Sequence, residues 1–325
     1  MTPTDSPWPQ EAWLLHQGEV SETTDDLQAL PPHSRSGTIA WLNMNWREPS
    51  SVDWVLQQSG LPESSCNAVL SENTRPRSFT DECGNLVLIL RVVNAQANTE
   101  EERLISLRMV ISNSRFISLC AFHPLSLSRF GEHLKAGDFD QDVAGLVTLL
   151  LEFIQDEINE AVTALTAELE GIEAACGAGE VVVERISSAR RAAGQLQRYL
   201  LPQRAVLSQI QQQRQWFGAP ELQAVWRELG NSLQLSLEEV EMALSRLMIL
   251  QDELRATLNE KNNRTLYLLS LVTFFFLPLS FLTGFLGMNI PFPWQDSAAS
   301  FWAVLSLVLM LLATQWALIR RLGWL

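Results

Sequence analysis

Two long apolar segments at the C-terminal end of the chain limit most strongly what it can fold into. Leu266 to Phe285 supplies about 20 apolar or small residues, and Ala299 to Ile319 supplies about 21 more. At a rise of about 1.5 Å per residue, each segment is long enough to cross a hydrocarbon core of about 30 Å. We therefore predict a membrane hairpin over residues 265–325. It divides into a first span at about 265–286, an outer loop at 287–298 and a second span at about 299–319.

Charge is distributed very unevenly between this hairpin and the rest of the chain. Residues 1–260 carry a net charge of −17, whereas residues 261–325 carry a net charge of +3. The loop between the spans holds a single charged residue, Asp296. Basic residues flank the two spans on the other side: Lys261, Arg264, Arg320 and Arg321. Because basic flanks stay in the cytoplasm, both termini are predicted to be cytoplasmic. The acidic body attracts cations and disfavours nucleic acid as a partner.

The residues before the hairpin are predicted to form an α/β domain followed by a long-helix region. The domain, 1–140, contains strand-like and helix-like runs, and from 141 to 264 the apolar spacing is helical. A last helix starts near Pro220 and continues into the first span without a breaker, as one helix of about 65 residues. The fold class is therefore α+β with long helices and two C-terminal spans. The strand-like runs are Thr38–Trp46, Leu86–Asn94, Leu104–Ile111 and Phe116–Ala121, and the short helices are Val52–Gln58 and Glu63–Leu70.

Composition disfavours a secreted protein and a soluble enzyme. The first residues have neither a basic start nor an apolar run, which predicts no signal peptide. The four cysteines form no CxxC pair and are expected to be reduced thiols. Cys120 and His123 could form half of a metal site, but a thiol at a sheet edge beside an exposed histidine is the simpler interpretation. With four histidines, no phosphate-binding glycine loop and no nucleophile motif, we expect no catalytic activity and no cofactor.

A stripe of small and polar residues runs along one face of the first span. Two interpretations stay open: a close helix–helix contact, or the lining of a water-filled pore. A pore needs several copies of the chain, because two helices cannot enclose a path. The spans contain no Asp, Glu, His, Lys or Arg, so a passing cation would meet only amide, hydroxyl and carbonyl oxygens, which favours a hydrated ion. The stripe consists of Asn263, Leu266, Ser270, Thr273, Leu277, Ser280, Gly284 and Gly287, and its projection towards the N-terminus meets Asp252.

The outer end of the first span reads Gly287-Met288-Asn289. Together with the two spans, the long helix that enters the first of them and the α/β domain, this tripeptide resembles the CorA superfamily of divalent-cation transport proteins. Three further stretches resemble the ZntB branch of that superfamily. They are ENTRPR at Glu72–Arg77, RYLLPQR at Arg198–Arg204 and FLPLSFLTG at Phe276–Gly284.

The resemblance implies a homopentameric funnel in a bacterial inner membrane, with the first span around a central pore and the second span facing lipid. It implies transport of Zn²⁺, with Cd²⁺, Ni²⁺ or Co²⁺ as alternatives, linked to a proton gradient. Gly287, Met288 and Asn289 would form the outer mouth, where Asn289 offers amide oxygens to the water shell of the ion. No inner-sphere protein ligand is assigned. Asp296 and Asp252 would attract cations at the two ends.

Two departures from the family pattern concern the outer loop. The magnesium-transporting branch usually follows its tripeptide with Met-Pro-Glu, whereas this loop begins Ile290-Pro291-Phe292 and contains no Glu. The Gly-Gly loop that is frequent in the ZntB branch is also missing. Because an oxygen-lined stripe suits Mg²⁺ as well as Zn²⁺, the choice of zinc is implied by the resemblance alone.

We therefore expect divalent metal cation transport, with Zn²⁺ as the main substrate. The partners expected are further copies of the chain, the lipid bilayer and the transported cation. One alternative is a Mg²⁺/Co²⁺ channel of the CorA type. Another, from a different class of protein, is a membrane-anchored coiled-coil scaffold, in which the stripe would be dry and buried.

Overall fold

The structure is a computed structural model that describes residues 11–16, 19–24, 38–72, 75–94, 103–137, 139, 142–178, 182–288 and 298–321. The chain divides into two compact units, 1–251 and 252–325. The first unit holds a sheet and helices, and the second holds the apolar C-terminal helices. The boundaries predicted at 140 and 264 from composition remain predictions.

A seven-stranded sheet forms the centre of the first unit. Its strand order is β2-β1-β3-β7-β6-β5-β4, and every neighbouring pair is antiparallel except β3 and β7. Four strands were predicted from alternation and lie within one residue of the expected bounds at each end. The strands are β1 Glu11–His16, β2 Glu19–Thr24, β3 Thr38–Asn45, β4 Arg77–Thr80, β5 Leu86–Val93, β6 Leu104–Ile111 and β7 Arg115–Cys120.

Successive side chains of a strand point to opposite faces of the sheet. Helices pack on both faces, so the interior strands are buried on both sides. On one face, Leu42 and Met44 of β3 pack in a cluster with residues of helices α1 (Pro49–Gln57) and α2 (Glu63–Leu70). On the other face, the ring of Trp41 lies edge-on to that of Phe130, with centroids 4.8 Å apart. Phe130 belongs to helix α3 (Leu125–Ala136), which the sequence analysis did not predict.

Long helices cover the second face of the sheet. Helix α4 (Val143–Gly177) contacts β5 and β7, and helix α5 (Val183–Gln211) contacts β4 and β5. The carboxylate of Asp142 caps α4 by accepting a hydrogen bond from the Gly145 amide at 2.6 Å. A short helix, α6 (Arg214–Phe217), precedes the last long helices.

The predicted continuous helix is confirmed. Helix α7 (Pro220–Leu286) has 67 residues, begins in the first unit and ends in the second. Its apolar seam is buried at Leu233, Leu237, Val240 and Leu247. Helix α8 (Ala298–Arg321) follows. The last part of α7 and residues Phe301–Arg321 of α8 are the two segments, among the residues described, that are long and apolar enough to cross a membrane.

Candidate functional site

The stripe of small and polar residues lies on an uncovered face of α7. Every stripe residue from Asn263 to Gly287 is exposed in the chain, with Leu266 at 59% and Leu277 at 66%. The partly covered residues of this segment form another face, roughly 150° away at about 3.6 residues per turn. They are Leu271, Phe274, Phe275, Pro278, Leu279 and Leu282. The stripe is therefore left free by the fold of the single chain.

The small side chains of the stripe leave a groove on the surface of α7. Ser270, Thr273 and Leu277 line it from the stripe, with Pro278 at its edge. The hydroxyl of Thr273 donates a hydrogen bond to the carbonyl oxygen of Leu269 at 2.8 Å. Since its only proton is used within the helix, this hydroxyl presents acceptor lone pairs outwards. Such a surface suits a cation with its water shell better than an anion.

Gly284 is not explained by packing within the chain. A Cβ built on this residue would have no atom within 4 Å. A small residue is therefore not required here by the contact with α8. Both open interpretations of the stripe, a contact between copies and a wet path, account for it.

The predicted outer mouth is described only in part. Gly287 continues the last turn of α7, and its amide donates to the Thr283 carbonyl oxygen at 2.9 Å. A Cβ on Gly287 would lie 3.0 Å from that same oxygen, so a larger residue would crowd the helix end. Met288 is exposed. Asn289 and Asp296 lie outside the described residues.

Asp252 lies on the exposed projection of the stripe, as predicted from the helical spacing. Its carboxylate is 3.7 Å from the guanidinium of Arg255, one turn further along α7. Both side chains are highly exposed, and an exposed pair of this kind is weak. The carboxylate of Asp252 therefore remains able to attract a cation, although the guanidinium of Arg255 lies beside it.

Gln315 is a polar residue that the sequence analysis overlooked. It lies in the last third of α8, and its Nε2 donates a hydrogen bond to the carbonyl oxygen of Phe274 in α7 at 2.8 Å. The signal was present in the sequence as the single amide side chain in the second predicted span. Its partner, 41 residues away, could not be identified without the structure.

The possible half metal site at Cys120 and His123 is not supported. Cys120 is fully buried in β7, which lies inside the sheet and not at its edge, so the expected edge position is wrong. Burial raises the pKa of its thiol to about 12, which disfavours the thiolate that binds metals. His123 is half-buried, and burial lowers its pKa. Among the residues described, no three His, Cys, Asp or Glu side chains are grouped to hold a metal.

The RYLLPQR stretch has a structural role in the first unit. It lies in α5, where the ring of Tyr199 stacks under the guanidinium of Arg91, 4.4 Å from the ring centroid. The side-chain oxygen of Gln203 accepts a hydrogen bond from the Arg91 amide at 2.8 Å. These two contacts fix α5 against β5. The stretch therefore contributes to packing within the first unit.

Comparisons with known proteins agree with this arrangement. The chain is 33% identical over 291 residues to the divalent cation transporter CmaX of Pseudomonas aeruginosa, which covers 88% of this chain and 87% of the relative. It is 28% identical over 293 residues to the zinc transport protein ZntB of Pectobacterium carotovorum, covering 88% of each.

Solved structures share the fold over almost the whole chain. The full-length CmaX protein matches with a TM-score of 0.81 and 30% identity, covering 98% of this chain and 100% of that one. The CorA magnesium transporter of Methanocaldococcus jannaschii matches with a TM-score of 0.76 over 98% of this chain and 99% of that one, at 18% identity, so this likeness concerns the fold alone. A family model described as CorA-like Mg²⁺ transporter protein matches residues 36–321, and the chain therefore belongs to that family of divalent-cation transporters.

Proposed function

We propose that this chain transports Zn²⁺ through a path lined by the stripe of α7, at the centre of a homopentamer. Membership of the family provides divalent-cation transport as the general activity. The observation that carries the finer proposal is the exposed stripe, which lies away from the face of α7 that α8 partly covers. Copies arranged with this face inwards would surround a path of hydroxyl, amide and backbone oxygens.

Each named residue has a role in this proposal. The stripe from Asn263 to Gly284 lines the path, and Gly287, Met288 and Asn289 form its outer mouth. Asn289 orients the water shell of the entering ion through its side-chain amide. Asp296 attracts cations outside and Asp252 does so inside. Because the spans contain no acidic residue and no histidine, any coupling to protons uses groups outside them.

The proposed location is a bacterial inner membrane with both termini in the cytoplasm. The basic residues that flank the two spans support this orientation. The bacterial relatives that match over most of the chain support the location.

Zinc is favoured by the relatives that are named zinc transport proteins and by the lack of Glu after Asn289. The second candidate substrate is Mg²⁺, with Co²⁺. It is supported by the description of the family model and by the hard oxygen ligands of the stripe. The two candidates differ in what a transport assay measures, so one experiment separates them.

The test is metal-specific uptake into liposomes that contain the purified protein, with and without a pH gradient. We expect Zn²⁺ uptake that exceeds Mg²⁺ uptake and rises with an imposed proton gradient. Asn289→Ala should reduce uptake at least tenfold, because it removes the amide oxygens from the mouth without adding bulk. Asn262→Ala, an exposed amide of α7 beside the stripe, is the matched control and should retain uptake.

Three results would decide against parts of this proposal. Faster Mg²⁺ than Zn²⁺ uptake would favour the second candidate. Uptake that ignores the pH gradient would remove the proton linkage. An Asn289→Ala protein with wild-type uptake would remove the mouth role of that residue.

A further inference from the structure

The contact between α7 and α8 encloses a polar side chain, Gln315, beside an apolar one, Ile319. Gln315 is 5% exposed and Ile319 is 2% exposed. Among the described residues of the second unit, these are the only two buried side chains. An amide in this position is unexpected, because burying a polar group costs free energy unless it is hydrogen-bonded. The amide therefore needs a specific reason.

The reason lies in the backbone of α7. Pro278 is inside this helix and has no N–H group. The carbonyl oxygen of Phe274, four residues earlier, consequently lacks the donor that a continuous helix would supply. The Nε2 of Gln315 donates to that same oxygen at 2.8 Å. A side chain from the neighbouring helix thus replaces the hydrogen bond that the proline removes, as membrane helices require.

Only the donor half of the Gln315 amide is used in this contact. Its Oε1 is buried and has no hydrogen-bond partner among the residues described. A leucine at this position would avoid burying that oxygen. The geometry therefore indicates that the position serves the N–H donation to Phe274 and not general packing between the helices.

The hydrogen bond is placed where it can control the stripe. Pro278 directly follows Leu277 and precedes Ser280, which are both stripe residues. A helix bends at a proline, and the bend varies when the freed carbonyl is unrestrained. A donor to the Phe274 carbonyl oxygen restrains the direction of the segment after Pro278 relative to the segment before it. The outer part of the stripe and the mouth move with that segment.

We propose that Gln315 is a positioning residue for the ion path, which restrains the direction of α7 at Pro278 by replacing the backbone hydrogen bond that this proline removes. This inference rests on the proposed function for its effect on transport. It also makes a statement about helix geometry that does not depend on transport. Gln315 acts through Phe274 and does not touch the ion.

A double-mutant cycle between Gln315 and Pro278 tests the inference. Gln315→Met keeps the length of the side chain and removes the donor, so uptake per folded protein should fall about threefold or more. In a Pro278→Ala background the helix supplies its own N–H to Phe274. There Gln315→Met should have little further effect on uptake or on thermal unfolding. Thr314→Val is the control, because that hydroxyl donates within α8 to Met310 and faces away from α7.

A second measurement distinguishes positioning from a general loss of packing. Single cysteines at Ser270 and Ser280 lie on the two sides of Pro278. The ratio of their labelling rates with a charged thiol reagent compares the two positions in folded protein. Gln315→Met should change that ratio, and Pro278→Ala should restore it. A protein that is merely less stable would lose signal at both positions equally.

Each outcome decides the matter. If Gln315→Met has the same effect on unfolding and on labelling in both backgrounds, the inference is overturned. If Gln315→Met fails to assemble, Pro278→Ala must restore assembly, and failure to do so also overturns it. If the wild-type protein moves no metal, the proposed function fails together with the transport part of this inference. The cycle in thermal unfolding then still decides the hydrogen bond.

Discussion

Glu157 is the most buried carboxyl group among the residues described, at 2% exposure. It lies on α4, and its Oε2 accepts a hydrogen bond from the Ser126 amide at the start of α3, at 3.3 Å. Its Oε1 is buried without a hydrogen-bond partner in the described part of the chain. Burial raises the pKa of this carboxyl group, and the hydrogen bonds with Ser126 oppose the shift. The ionised form is therefore less favourable in the folded state than in the unfolded state.

This residue predicts how stability depends on pH. Since its pKa is raised on folding, the folded state keeps the proton at pH values where the unfolded state has released it. Its contribution to the free energy of unfolding is complete below about pH 4, the ordinary Glu value, and is lost as pH rises through the folded pKa. Glu157→Gln should remove this loss and make the protein less sensitive to pH over that window. Chemical unfolding from about pH 4 to 8 in detergent measures it.

The matched control for Glu157 is Glu170→Gln, an exposed carboxylate on the same helix. It should leave the pH dependence of unfolding as in the wild type. If Glu157→Gln and Glu170→Gln gave the same pH profile, the buried carboxyl group would not be the titrating group in this range.

At the level of elements, the strands predicted from the sequence are strands whose side chains are buried on both faces of the sheet. Four of the five interior strands, β3, β5, β6 and β7, have continuous or alternating apolar runs that were predicted. Strands β2 and β4 lie at the edges of the sheet, where few apolar side chains are needed. Their sequences, EVSETT and RSFT, therefore carry little signal. β1, EAWLLH, lies inside the sheet, and its short apolar run AWLL fits a helix as well as a strand.

Helix α3 and the partner of the Phe274 carbonyl oxygen in α7 were not predicted, because each depends on residues that are distant in the sequence. Gly131 interrupts the helical pattern of α3, yet a Cβ there would lie 3.4 Å from the ring of Trp13 in β1. Gly131 of α3 thus packs next to a strand more than a hundred residues earlier, at a distance where a Cβ would make an ordinary van der Waals contact. Pro278 is likewise compatible with a continuous α7 because Gln315 of α8 supplies a donor. The stripe itself was predictable, since helical spacing alone defines a face.

A polar cluster fixes α4 against α7. The Oδ1 of Asn159 accepts hydrogen bonds from Gln155 at 2.9 Å and from Ser236 at 2.8 Å, and its Nδ2 donates to Ser232 at 3.2 Å. Gln155 and Ser236 are buried. Asn159→Ala leaves these groups without their shared partner and should lower the free energy of unfolding by about 1–3 kcal/mol. Chemical unfolding followed by circular dichroism measures the change.

Asn231→Ala is the matched control for this cluster, because Asn231 is an exposed amide next to Ser232 on α7. Its effect should be within about 0.5 kcal/mol of zero. An Asn159→Ala protein as stable as Asn231→Ala would show that the cluster contributes no net stability to the contact between the helices.

For the whole molecule, the single chain leaves long apolar faces uncovered. The part of α7 in the first unit exposes Leu235, Met242, Met248 and Ile249, and the stripe is exposed in the second unit. Large uncovered apolar surfaces mark contacts with other proteins or with lipid. Assembly of several copies would cover these faces, and the stripe would then be either dry or wet. The pore and the scaffold therefore predict opposite hydration of the stripe.

Cysteine labelling separates the two assemblies. All four native cysteines lie before residue 177, so a cysteine-free background leaves α7 and α8 unchanged. Single cysteines at Ser270, Thr273, Leu277 and Ser280 then report on the stripe. A thiol beside water can ionise and react, whereas a thiol in lipid or in a dry contact stays protonated and inert. We expect small charged thiol reagents to label the stripe positions, and Ser280 fastest from outside.

The control positions are Leu271, Phe275 and Leu279, which lie on the face of α7 that is partly covered in the chain. They should label at least tenfold more slowly than the stripe, because α8 and lipid keep water from them. The labelling is read in protein whose metal uptake has been measured, so that a closed or inactive preparation is recognised. An unreactive stripe in protein that transports metal would contradict a path along this face. The same unreactive stripe in protein without uptake would favour the scaffold, because a dry contact between copies then accounts for the small residues.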